Sequence, residues 1–172
     1  MHFEEAVRAD AARLHRLARR LTDSSHDAED LLQDTYLLAW RSWERSGPPD
    51  RVTPWLVTIC LNQARSRRRR TSSLPLTPED VGAVLDADVV RQVTAGDVED
   101  RVLGNLDTGR VRAALRRLPY AQRESLVLMD LCGLTAAESA GILDVPRGTV
   151  LSRVHRGRQA LALLLLQTQE VS

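Results

Sequence analysis

The stretch that most constrains this chain is LTAAESAGILDVPRGTVLSRVHRGRQAL, residues 134–161, which carries the stop and start signals of two helices within a few positions. Thr135 is placed to cap a helix, with Glu138 three residues later as the reciprocal half of a capping box. That helix is predicted to run to about Leu143, where Asp144, Val145 and Pro146 break it. Proline lacks an N–H and pushes the residue before it out of the helical region. A second helix is predicted from near Arg147, with Gly157 as its one weak point. Ala140, Leu143, Val145, Val150 and Val154 are the small or apolar positions that lock such a pair at a steep angle. The opposite face offers Arg147, Thr149, Ser152, Arg153, His155, Arg156 and Arg158. A short helix, a tight turn and a second helix with a polar, basic outer face make the helix-turn-helix pattern of DNA readers. An αα-hairpin whose arginines merely face water shares this spacing.

The rest of the chain points to an all-α protein. Its hydrophobic content is 43% but its aromatic content only 3%, so the core must come from Leu, Val and Ala, which favours helix over sheet. Residues 4–21 space Val7, Ala11, Leu14, Leu17, Ala18 and Leu21 along one stripe, with Arg13, Arg16, Arg19 and Arg20 off it as a solvated face. A second helix is predicted from Asp27 to about Trp43. Its first half holds Asp27, Glu29, Asp30, Gln33 and Asp34; its second half holds Tyr36, Leu37, Trp40 and Trp43. Carboxylates in a first turn suit the positive end of the helix dipole. Asp34 lies beyond that turn, however, and shares a face with Asp30, which calls for a basic partner. After a Pro-rich loop at 46–54, a third helix is predicted from Trp55 to about Arg70, with Leu56, Ile59, Cys60 and Ala64 as its apolar stripe. Its end carries Arg65, Arg67, Arg68, Arg69 and Arg70, a density that suits a polyanion passing by.

From Thr71 the character changes to spaced acids and prolines, read as a linker with one short helix near 84–93. Helices resume near Asp97: one striped by Val111, Leu115 and Leu118 and ended by Pro119, another over Gln122 to Leu131 ended by Gly133. The tail extends the last helix, with Leu161, Leu164 and Leu165 on its buried side. The predicted domains are therefore 1–70 and 99–172, joined by an acidic linker at 71–98.

Charge is segregated along the same boundaries. Residues 1–70 carry 13 Arg against 10 acids, residues 71–108 carry 2 against 8, and residues 109–172 carry 9 against 5. Two basic blocks thus flank an acidic middle, and the net charge of +1 understates their affinity for phosphate. Cys60 and Cys132 sit in apolar helical contexts without a Cys or His at ligand spacing, so they read as small buried hydrophobes rather than metal ligands. No apolar run has the length of a membrane span, and no secretory signal is apparent, which gives a cytoplasmic expectation. No nucleophile and base stand at catalytic spacing and no Gly-rich phosphate loop appears, so enzymatic activity and cofactors are not expected.

Taken together, the motifs resemble the extracytoplasmic-function sigma factors of bacterial RNA polymerase. DAEDLLQDTYLLAW is similar to that family's core-polymerase-binding helix, WLVTICLNQARSRRRR to its −10-reading helix, and residues 118–161 to its −35-reading domain. The resemblance implies that Asp27, Asp30, Gln33 and Asp34 face basic helices of the polymerase β′ clamp, with the β subunit as a further partner. It implies that Asn62 contacts a flipped −10 base while Arg65, Arg67, Arg68 and Arg69 hold phosphates. It implies that Arg147, Thr149, Leu151, Ser152, His155, Arg156 and Arg158 meet the −35 element of promoter DNA. An anti-sigma factor is a further implied partner, and no membrane insertion is expected. Against the family pattern, Leu151 stands where a basic residue is usual, Asp144 where a turn glycine is usual, Ser139 for Ile, Ser66 for Asp, and Leu61 for a basic residue. The alternative reading is a stand-alone helix-turn-helix regulator, which would bind an operator tightly without polymerase.

Overall fold

The computed structural model describes residues 2–71 and 109–167, which are helical apart from short turns. The predicted linker beyond Thr71, its short helix and the resumption near Asp97 lie outside the described residues, as does the tail from Thr168. The chain divides into two compact units, an N-terminal one and a C-terminal one.

The N-terminal unit packs α1 (Phe3–Leu21), α2 (Ser25–Ser46) and α3 (Val52–Thr71) each against the other two. Leu14, Leu17 and Ala18 of α1, Leu31 and Ala39 of α2, and Leu56, Cys60 and Leu61 of α3 are fully buried. Each buried leucine contributes about 1.5–3 kcal/mol relative to exposure, so this Leu/Ala core suffices without many rings. The unit's phenylalanine and three tryptophans gather at one place: Phe3 meets Trp40 and Trp43 edge-on with centroids 5.1 and 5.5 Å apart, and Trp43 tilts against Trp55 at 6.2 Å. The α1 stripe is rotated from the one the sequence suggests. Val7 and Ala11 are only half-buried, whereas Ala6, Asp10 and Arg20 are buried. Arg20 is thus not part of a solvated face. Asp10 accepts a 2.8 Å hydrogen bond from the Thr53 hydroxyl and pairs with Arg13, tying the start of α3 to the middle of α1.

Helix α3 begins three residues earlier than the proline pattern suggests. Pro54 falls in the first turn, where the missing N–H has no intrahelical partner to lose. Leu61 is fully buried, so the family departure at that position is a core side chain rather than a lost surface charge.

The C-terminal unit contains α4 (Gly109–Arg117), α5 (Tyr120–Leu126), α6 (Ala136–Leu143) and α7 (Arg147–Gln167). Its core joins Val111, Ala114, Leu115 and Leu118 to Leu126 and to Ala160, Leu161 and Leu164 of α7. The helix predicted over residues 122–131 does not stay α-helical. Residues Val127–Leu131 form a π turn, closed by a 3.0 Å bond from the Cys132 N–H to the Val127 carbonyl. Both cysteines are buried free thiols, as their apolar contexts suggest.

Candidate nucleic-acid interface

In the C-terminal unit the helix-turn-helix is built by local chemistry. Thr135 accepts from the Glu138 N–H at 3.2 Å, and Glu138 accepts from the Thr135 N–H at 2.7 Å, completing the capping box. Asp144 then takes the left-handed conformation, φ 54 and ψ 48, and the Val145 N–H bonds back to the Ala140 carbonyl at 3.2 Å. Among the described residues Asp144 is the only non-glycine at positive φ. Asp tolerates this geometry better than most side chains, so the turn forms without the usual glycine. The Pro146 carbonyl accepts the first N–H groups of α7, from Thr149 and Val150.

Val150, Val154, Gly157 and Leu161 turn inward. Gly157 is where α7 passes closest to α5: a Cβ there would lie 3.2 Å from the Leu126 Cδ1 and 3.5 Å from the Gln122 Cβ. Ser139, which replaces a bulkier residue of the family pattern, is fully buried, and its hydroxyl has no hydrogen-bond partner.

The outward side of α7 carries most of the side chains assigned from sequence to DNA. Arg147, Leu151, His155 and Arg156 are exposed; Thr149 and Ser152 are half-buried. Arg156 donates to the Ser152 hydroxyl at 3.3 Å, and the His155 and Gln159 side chains meet at 3.1 Å. Arg158 is placed differently. Its guanidinium grips Asp130 through two bonds, 3.0 Å from Nε and 2.6 Å from Nη2, and the Asp130 side chain is only 8% exposed. Asp130 belongs to the π turn, which no periodicity in the sequence marks. Arg158 therefore anchors α7 to the turn before the motif.

In the N-terminal unit the arginine run divides by helical phase. Asn62 and Arg69 are exposed, Arg65 and Ser66 half-buried, and these lie on the side of α3 opposite Leu56, Cys60 and Ala64. Arg67 falls one turn beyond Ala64, on the inward side, and forms an ion pair with Asp34 of α2. That inward phase is readable from a 3.6-residue period, but which residue of α2 it meets is not.

The other residues assigned to polymerase docking are dispersed in role. Asp27 lies in the first turn of α2 and is held by the cap residue Ser24: its N–H donates to the Ser24 hydroxyl at 3.0 Å and its carboxylate accepts from that hydroxyl at 2.6 Å. Asp30 lies 3.5 Å from the imidazole of His26. Gln33 is exposed, and beside it on the outward side of α2 stand Leu37 and Trp40, 54% and 43% exposed. Sequence reading assigned those two only to an apolar half-helix; their exposure makes them part of the same outward surface.

Among the described residues no group of His, Cys, Asp or Glu is arranged to hold a metal ion. Among the same residues no helix is long and apolar enough to cross a membrane.

Comparison with known proteins places this geometry. Residues 6–73 match Sigma-70 region 2, and residues 108–161 match Sigma-70, region 4. The ECF RNA polymerase sigma factor SigM of Mycobacterium tuberculosis is 37% identical over 164 residues, 95% of this chain and 76% of SigM. The sigma factor SigE of Mycolicibacterium smegmatis is 38% identical over 161 residues, 92% of this chain and 60% of SigE. Among solved structures, the sigma factor RpoE of Bartonella quintana, in complex with the anti-sigma factor NepR, superposes with a TM-score of 0.70 at 27% identity, covering 95% of this chain and 96% of RpoE. CnrH, in complex with the cytosolic domain of CnrY, gives a TM-score of 0.58 at 26% identity over 95% of this chain and 86% of CnrH.

Proposed function

The chain belongs to the ECF sigma factors of bacterial RNA polymerase, and from that premise we propose which of its surfaces carries each step of initiation. As a family member it binds core polymerase, directs it to promoters and performs no catalysis itself. The outward side of α2 docks on the basic β′ clamp through Asp30, Gln33 and the adjoining Leu37 and Trp40. Asn62 receives a base flipped from the −10 element, while Arg65 and Arg69 hold the backbone around it. The face of α7 bearing Arg147, Ser152, His155 and Arg156 enters the major groove at the −35 element. Asp27, Asp34 and Arg67 support these surfaces rather than meeting the partners first.

The observation that carries this division is the phase of α3. Asn62 and Arg69 lie outward together, opposite the buried Leu56, Cys60 and Ala64, so base contact and phosphate grip share one side of α3. Two readers of modest charge bind weakly alone. Docking on polymerase fixes them at one spacing, and effective concentration makes them act as a single site. Control by an anti-sigma factor, as in the RpoE–NepR complex, fits a chain whose readers lie in two separate units. The site of action is the cytoplasm, where polymerase and promoter meet.

The test is transcription from a genomic template library by purified core polymerase, with and without this chain. Discrete new start sites sharing an upstream and a downstream element are expected. If folded chain and active core give none, while the chain alone shifts a specific duplex, a stand-alone regulator replaces this reading.

A further inference from the structure

We propose that Leu151 is a specificity-determining residue that reads the C5-methyl group of a thymine in the upstream promoter element. The inference rests on the assignment of α7 as the −35 reader and deepens it. Leu151 sits in the second turn of α7 with 41% of its surface exposed, one of four large apolar side chains so placed among the described residues. It is not a stray edge of the core: Val150 and Val154 beside it take the inward positions. One turn before it stands Arg147 and one turn after it His155, both exposed, so the isobutyl group is framed by polar side chains suited to phosphates and base edges. On the adjacent outward position, Gly148 has nothing within 4 Å of where a Cβ would be. The helix surface beside Leu151 is therefore low, and a duplex can approach until the leucine methyls touch the groove floor.

Chemistry then selects the base. In the major groove thymine alone presents an apolar group; guanine, adenine and cytosine offer acceptors or donors at their exposed edges. Leucine can neither donate nor accept, so it gains nothing from the polar edge atoms that every base pair presents. Thymine instead gains a desolvated methyl contact.

The experiment uses polymerase holoenzyme reconstituted with the full chain, transcribing a promoter library randomised across the upstream element. Wild type is expected to select thymine at one position that Leu151→Ala no longer selects, with the other positions retained. In the selected template, replacing that thymine by deoxyuridine removes only the methyl. This should weaken initiation by wild type about fourfold, the factor that one buried carbon carries, and leave Leu151→Ala unaffected. Leu151→Arg should move the preference toward guanine. An unchanged consensus in Leu151→Ala, or equal use of thymine and deoxyuridine, overturns the proposal while leaving the sigma-factor reading intact. Absence of initiation by wild type would instead overturn the assignment of α7 and this inference with it.

Discussion

Asp34 of α2 and Arg67 of α3 form an ion pair, joining two side chains that the sequence assigns to different partners, polymerase and DNA. The side chains are 46% and 31% exposed, so solvent screening limits the pair to about 0–1 kcal/mol. A pair that weak yields when a stronger partner arrives. Asp34→Ala is expected to lower stability by no more than about 1 kcal/mol in urea unfolding. It should also release Arg67, strengthening holoenzyme binding to −10 single-stranded DNA. Asp30→Arg, outside this pair, should reduce co-elution with core polymerase. Weaker DNA binding by Asp34→Ala would show that the carboxylate has another task.

Arg158 and Arg156 are two residues apart and should behave oppositely. Arg158→Ala leaves the nearly buried Asp130 carboxylate without its bidentate donor, which costs about 1–3 kcal/mol of stability in the C-terminal unit. The salt dependence of −35 binding should keep its slope. Arg156→Ala should change stability by less than about 0.5 kcal/mol and reduce the slope of log K against log salt by about one. Thermal unfolding and DNA binding at several salt concentrations separate the two outcomes. A slope lowered equally by both substitutions would return Arg158 to the DNA contacts.

Gly157 marks the close approach of α7 to α5. In an open helix, Gly→Ala would stabilise by about 1 kcal/mol. Here the new methyl meets Leu126, itself 1% exposed and held by the core, and overpacking costs about 1–3 kcal/mol. Gly157→Ala should therefore be neutral to destabilising, and Gly157→Val clearly destabilising. Urea midpoints decide it, and a marked rise for Ala would mean that Leu126 moves aside freely.

Burial raises the Cys60 thiol from its ordinary value of 9.0 to about 11, partly opposed by the Thr35 hydrogen bond, and burial also raises Tyr36. The folded state then holds a proton that the unfolded state releases first. This stabilisation is full below the unfolded value and is lost as pH rises from about 9 to about 11. The urea midpoint should fall across that window, less steeply in Cys60→Ala. At pH 8 neither buried cysteine should react with a thiol reagent until urea unfolds the chain. Rapid labelling of the folded chain would contradict this burial.

Local signals carried far in this protein. The capping box at Thr135 and Glu138, the break at Asp144 to Pro146 and the Leu and Ala stripes are written in neighbouring residues, so the helices and the helix-turn-helix follow from the sequence. The family resemblance, too, rests on motifs that any reader of the chain sees. What the sequence leaves out is helical phase against a neighbour. A run of arginines looks uniform in one dimension, yet a turn of 3.6 residues sends Arg67 inward and Arg69 outward.

By itself, then, the sequence determined the all-helical class, the order of the elements and the two basic readers, because caps, breakers and apolar spacing act within about one turn of the chain. Only tertiary structure decided which charges were already spent. Asp34 and Arg67 are 33 residues apart, and Arg158 and Asp130 are 28 apart. No short-range pattern encodes such pairs. They exist because packing brings two helices, or a helix and a π turn, close enough for a guanidinium to replace water around a carboxylate.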